Sequence, residues 1–152
     1  MLMLTRTFDA EPRVVFRAWT DPQLVAEWWG PRGVTNPVCE LNVRPGGTIN
    51  IVMKAGKELG ELEGTEWPMR GVFEEVTPFE KLVFKGEAII DEKPILETKN
   101  TVTLHDEGGK TKMEFHVEVL KATPEAEQPL EGMEMGWSQS FDKLGELIAR
   151  SA

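Results

Sequence analysis

Lys112-Met113-Glu114-Phe115-His116-Val117-Glu118-Val119 alternates polar and apolar side chains without a break. A period of two is the mark of a strand with one buried face. Soon after it the period changes. Met133, Trp137, Phe141, Leu144 and Ile148 recur at i, i+4, i+8, i+11 and i+15, which is one face of a helix, while Gln139, Asp142, Lys143, Glu146 and Arg150 fall on the other. A one-sided sheet must cover its apolar face, and this helix is the only element long enough to do it. The two stretches together predict an α+β fold, a curved antiparallel sheet wrapped around a long C-terminal helix.

Outward from that pair, the rest of the chain supplies the sheet. Val102 and Leu104 alternate with Thr101 and Thr103 and lead into the hairpin turn Asp106-Glu107-Gly108-Gly109. Leu82 and Phe84 form an earlier strand, and the stretch from there to Asn100 reads as a polar loop. Thr77-Pro78-Phe79-Glu80 turns the chain after a strand from Met69 to Val76. Ile49, Ile51 and Met53 alternate on one strand. Cys39, Leu41 and Val43 alternate on another, joined to it by Pro45-Gly46-Gly47. A Gly- and Glu-rich loop runs from Ala55 to Glu66.

At the start, Leu2, Leu4, Thr5, Thr7 and Phe8 read as the first strand. Asp9-Ala10-Glu11-Pro12 and Asp21-Pro22 then open two short helices, each with an acidic side chain to accept free N–H groups and a proline in the first turn. The first carries Val15, Ala18 and Trp19. The second carries Leu24, Val25, Trp28 and Trp29 and ends at Gly30-Pro31. Thr123-Pro124 and Gln128-Pro129 both look like starts for the last helix. A proline well inside a helix clashes with the preceding turn, so the main helix is placed after Pro129.

A length of 152 residues suits one domain over residues 1–152, large enough to fold without disulfides or metal. The formal charge of −9 argues against nucleic acid and anionic membranes, which are bound through an excess of Lys and Arg. Cys39 is the single cysteine, so no internal disulfide forms, and a cytoplasmic setting is expected. No apolar run approaches the roughly 20 residues of a membrane span, so no membrane insertion is expected. The apolar start Met1–Leu4 is followed by Asp9 and Glu11, with no basic region before it, which does not read as a signal peptide.

Several motifs are similar to one family. They are Arg6-Thr7-Phe8-Asp9-Ala10, Val15-Phe16-Arg17-Ala18-Trp19-Thr20-Asp21-Pro22 and Trp28-Trp29-Gly30-Pro31, then Val38-Cys39-Glu40 and Arg44-Pro45-Gly46-Gly47. They continue through Arg70-Gly71-Val72-Phe73 with Glu75-Val76 and Pro78, Lys81-Leu82-Val83-Phe84, and Gly136-Trp137 with Phe141-Asp142-Lys143-Leu144. In this order the chain, from about Leu4 to Ala149, resembles bacterial homologues of the C-terminal domain of the Aha-type activator of the heat-shock chaperone ATPase. These belong to the START-like helix-grip superfamily, also called SRPBCC. The resemblance implies seven strands gripping the last helix over a deep cavity. It implies no single activity, since fold is not function.

The candidate ligand-binding residues are Trp28, Trp29, Met53, Met69, Phe73, Phe84, Asn100, Met113, Met133, Trp137, Ser140 and Phe141. Trp28 and Trp29 read either as core packing or as one indole inward and one at a cavity mouth. Trp137 and Ser140 lie on the inward arc of the last helix with Gly136 at its edge, a tight helix–sheet contact or the wall of a ligand site. The methionines suit an irregular ligand and equally a plain core. Asn100 shares the phase of Val102 and Leu104. It either orients a ligand or sits at an exposed strand end.

A base for catalysis is harder to find. His116 points outward by its phase, and His105 lies against a turn. Glu75 is the one carboxylate with a claim to face inward, and a bulge would turn it out. No metal-ligand spacing, nucleophile elbow or phosphate loop is present, and no cofactor is implied. The leading reading is a binding protein for an apolar small molecule, lipid-like or aromatic. The alternatives are a polyketide cyclase- or hydrolase-like enzyme and an interaction module, with a homodimer or a chaperone contact as its partner.

Overall fold

Of the two acid-proline pairs near the start of the chain, only one caps its helix through a side chain. Asp21 Oδ1 accepts from the Gln23 N–H at 3.0 Å. Glu11 makes no such bond and instead pairs with Arg13 at 2.9 Å. Both prolines stand at the first helical position, where no N–H is needed. A computed structural model describes residues 2–151. The order is β1 (Leu2–Phe8), α1 (Pro12–Thr20), α2 (Pro22–Trp28), β2 (Val34–Leu41), β3 (Thr48–Ala55), β4 (Glu66–Thr77), β5 (Lys81–Ile90), β6 (Lys93–Asp106), β7 (Thr111–Ala122) and α3 (Glu127–Ser151). Short 3-10 turns cover Lys57–Leu62 and Pro124–Ala126.

The strands form one curved antiparallel sheet of seven, in the order β1-β7-β6-β5-β4-β3-β2. Strands β2 to β7 are a meander, each pairing with its sequence neighbour, and β1 closes on β7 with Leu4 opposite Phe115. Helix α3 crosses the concave face. This is the α+β arrangement expected from the pairing of the 112–119 strand with the C-terminal helical face, and the helix-grip fold that the family resemblance implies.

Three expectations need correction. The polar loop placed between Phe84 and Asn100 is two long strands joined at Asp91 and Glu92, both with positive φ (51° and 64°). Such φ values are those of a two-residue hairpin turn, usually written with Asn-Gly or Asp-Gly. Val43 lies past the end of β2. Helix α3 begins at Glu127, before Pro129. Pro129 is tolerated because it falls in the first turn, where backbone N–H groups have no acceptor four residues back.

The core is an aromatic layer between α1, α2, the sheet and the second half of α3. Trp19 and Trp28 meet edge-to-face at 4.7 Å, and Phe141 packs against Phe115 at 5.1 Å. The Trp28 indole N–H donates to Ala18 O at 2.9 Å. That carbonyl lacks its helical donor because the residue four positions on is Pro22, which has no N–H. The Trp19 N–H donates to Met113 Sδ at 3.3 Å. Ile95, Leu96 and Ala126 form a smaller cluster at the far end of the sheet.

Gly47 is fixed by close approach. Gly47 N–H donates to Arg44 O at 2.8 Å, its carbonyl accepts from Phe73 N–H at 2.9 Å, and an added Cβ would run into the Asn42 carbonyl. Gly47→Ala is expected to lower stability by about 2–3 kcal/mol, the upper part of the range for forced overpacking. Gly132→Ala, on an exposed turn of α3 with open space around it, is expected to raise stability by about 0.5–1 kcal/mol. Urea midpoints at unchanged m-value read both effects.

Candidate ligand cavity

Helix α3 is unevenly buried along its length. Ser140, Phe141, Leu144, Leu147 and Ile148 are buried, whereas its first turns are largely exposed. The second half therefore packs on the sheet, and the first half spans a cavity of about 220 Å³. Pro129, Met133, Gly136, Trp137 and Ser140 form its helical wall. The sheet wall comes from β3 (Met53), β4 (Trp67, Pro68, Met69), β5 (Phe84, Gly86, Ala88) and β6 (Leu96, Thr98, Asn100). Trp29, Gly30 and Pro31 complete it from the loop after α2. Trp29 and Trp137 meet edge-to-face at 5.1 Å. Among the described residues no Asp, Glu, Lys, Arg or His lines this space.

Opposite one another on β5 and β6 stand Phe84 and Asn100, Gly86 and Thr98, and Ala88 and Leu96. The inward positions change from large and apolar to small or polar along the strands. That change is what leaves the sheet face hollow here. Asn100 is a buried mid-strand residue at 2 % exposure, not an exposed strand end. Its amide nitrogen donates to Phe84 O at 3.3 Å and to Thr98 Oγ1 at 3.1 Å. The Ser140 hydroxyl donates to Gly136 O at 2.9 Å, a bond back along its own helix.

Of the residues singled out from the sequence, Trp29, Met53, Met69, Phe84, Asn100, Met133, Trp137 and Ser140 come together around the cavity. Trp28, Phe73, Met113 and Phe141 do not line it. They are buried in the aromatic core, where Trp28 is fully enclosed and tied to Ala18. The sequence reading missed Trp67, Pro68, Ala88, Leu96 and Thr98. Trp67 and Pro68 precede the assumed start of their strand, and the other three fall in the supposed polar loop.

Glu75 does not face inward. The β4–β5 register shifts between Phe73 and Glu75, so a bulge turns its side chain out. The carboxylate is 47 % exposed, 3.7 Å from Lys81 Nζ, and accepts from Thr77 Oγ1 at 3.3 Å. His105 is also on the outer face, with Nε2 3.2 Å from Glu114. His116, half-buried, lies opposite Met3 and Thr101 in the register. Among the described residues no group of three or more His, Cys, Asp or Glu is placed to hold a metal ion. None of their helices is long and apolar enough to cross a membrane.

The loop that borders the cavity is fastened to α3. The Arg32 N–H donates to Gln139 Oε1 at 3.0 Å, the Arg32 guanidinium donates to Glu146, and Lys143 Nζ donates to Pro31 O at 3.1 Å. The guanidinium holds the Glu146 carboxyl below the usual carboxylate range. Burial, reinforced by the nearby Arg32 charge, pulls Lys143 below the usual lysine range. Asn36 supports the same loop from β2, its amide nitrogen donating to Ala26 O and Trp29 O, each at 2.9 Å.

Burial pushes the Cys39 thiol up to about 11 from its ordinary 9.0. The folded protein therefore keeps this proton while the unfolded chain gives it up. Stability is expected to fall as pH rises from about 9 to about 11, because the unfolded state binds fewer protons in that window. At pH 8, iodoacetamide is expected to label folded Cys39 more than about tenfold slower than the urea-unfolded chain, since only the thiolate reacts. Mass spectrometry of timed aliquots reads the ratio. Equal rates would contradict the burial argument.

Comparison with known proteins places this geometry. The family model described as Activator of Hsp90 ATPase homolog 1-like protein matches residues 9–149. Comparison with curated proteins gives no match. A solved Chromobacterium violaceum protein is 26% identical, with 96% of this chain and 95% of that one covered and a TM-score of 0.79. An Arthrobacter aurescens protein is 21% identical over 97% of this chain and 85% of that one, with a TM-score of 0.82. An AHSA1 protein from Silicibacter pomeroyi is 22% identical over 99% of both chains, with a TM-score of 0.77. The last two likenesses speak for the fold alone. With the family match running from the end of β1 nearly to the end of α3, the chain belongs to the Activator of Hsp90 ATPase homolog 1-like family of helix-grip proteins.

Proposed function

We propose that this protein binds a small, predominantly apolar molecule of aromatic character in the cavity beneath the first half of α3. The observation that carries the reading is the wall itself. Four aromatic side chains (Trp29, Trp67, Phe84 and Trp137) and three methionines surround about 220 Å³ with no ionisable group among them. Pockets for small ligands have this makeup, apolar walls with a few polar anchors. The volume exceeds the roughly 150 Å³ of an apolar cavity that takes up benzene, so a two-ring ligand is a reasonable fit.

The cyclase- or hydrolase-like alternative asks for a general base within hydrogen-bond reach of the substrate. The walls offer an amide, two hydroxyls and indoles, and Glu75 lies outside, which favours binding over catalysis. Native mass spectrometry of freshly purified protein, followed by calorimetric titration with 2-methylnaphthalene, tests the reading. A retained mass or saturable uptake is expected. No retained mass and no uptake of two-ring aromatics would overturn it.

A further inference from the structure

We propose that the ligand is a neutral hydroxylated aromatic, whose hydroxyl donates a hydrogen bond to Asn100 Oδ1. This rests on the pocket reading above and gives its occupant a chemical class. Phe84 O is a carbonyl and can only accept, so the amide group that meets it must be the Asn100 nitrogen. The orientation of the side chain is thereby fixed by chemistry rather than by assignment. Both amide protons are then used, on Phe84 O and Thr98 Oγ1.

The oxygen is left over. It has no hydrogen-bond partner among the described residues, yet it is not sealed in. Among the described residues the only buried side-chain polar atom both enclosed and unpaired is Asn36 Oδ1. Asn100 Oδ1 therefore keeps accessible surface although the residue as a whole is 2 % exposed, and the space that Asn100 borders is the cavity. An unpaired acceptor on the wall of an apolar cavity calls for a donor from the occupant.

Thr98 narrows the choice. Its Oγ1 accepts from Asn100, and its own proton has no acceptor among the described hydrogen bonds. A ligand hydroxyl can donate to Asn100 Oδ1 and accept from Thr98 together, whereas a bare N–H can only donate. Negative charge is excluded by the walls. A carboxylate or phosphate would be buried with no Lys, Arg or His among the described residues that line the space.

Calorimetry with 2-naphthol, 2-methylnaphthalene and 2-methoxynaphthalene tests this. The three share a ring system, and only the first can donate. The naphthol is expected to bind about tenfold more tightly than the other two, the worth of one net hydrogen bond in a buried site. In Asn100→Leu that preference is expected to fall to within about twofold, while 2-methylnaphthalene still binds. Equal affinity of all three in the native protein would overturn the inference and leave the pocket standing. Binding of none would overturn both. The native comparison decides the matter even if the variant fails to fold.

Discussion

Trp28→Ala is expected to remove about 4–5 kcal/mol of stability, the upper end for truncating a large buried side chain. Two losses combine. The indole is fully enclosed among Trp19, Trp29 and Phe141, at ring separations of 4.7, 5.8 and 6.3 Å. Its N–H is also the donor that Ala18 O lacks because of Pro22. Trp28→Phe separates the terms. It keeps most of the volume, abandons the carbonyl, and is expected to lose about 1–3 kcal/mol. Guanidinium denaturation of both variants reads the difference. A loss below about 2 kcal/mol in Trp28→Ala would mean that the core collapses into the gap, contrary to the close packing of the ring layer. Because whole domains are stable by only about 5–15 kcal/mol, Trp28→Ala is expected to leave a measurable unfolded population at 37 °C.

The second large effect runs in two directions at once. Gly136→Leu is expected to abolish binding of two-ring aromatics, by at least a hundredfold, roughly 2.7 kcal/mol. The same substitution is expected to raise stability by about 0.5–1 kcal/mol, because a helical glycine is replaced by a good helix former. Gly136 lines the cavity, and a Cβ there meets nothing within 4 Å. A leucine side chain on this wall takes up space that the ligand would fill. Thermal denaturation and calorimetry on the same sample give both numbers. A stabilised variant that binds as well as the native protein would place the ligand elsewhere.

The sequence was most legible where packing is densest. The alternation through Met113, Phe115 and Val117 and the helical face of Phe141, Leu144 and Ile148 reflect positions that must be large and apolar, and these carried the fold class. It was least legible around the cavity, for a physical reason. Strands are recognised by large apolar side chains at every second position. Where the sheet faces an empty space, the inward positions are Gly86, Ala88, Thr98 and Asn100, so the signal fades and two strands looked like a loop. The site erased the pattern by which its own walls would have been found. The split of the adjacent tryptophans, Trp28 inward and Trp29 against the cavity, was foreseen as one option, but periodicity alone could not say which indole took which place. The bulge that turns Glu75 outward left no mark in the residue pattern, since Glu74 and Glu75 are alike.

The pairing of β1 with β7 sets an order of events in the cell. Every other strand finds its neighbour within a hairpin, but Leu2–Phe8 must wait for Thr111–Val117. At ribosomal rates of about 5–20 residues per second, on the order of ten seconds separates the synthesis of the two strands. For that interval Leu4 and Phe8 are exposed on the nascent chain, and the edge of β7 that they will occupy has not been made. Closure of the sheet is thus a late step, timed by the synthesis of β7 and not by that of β1.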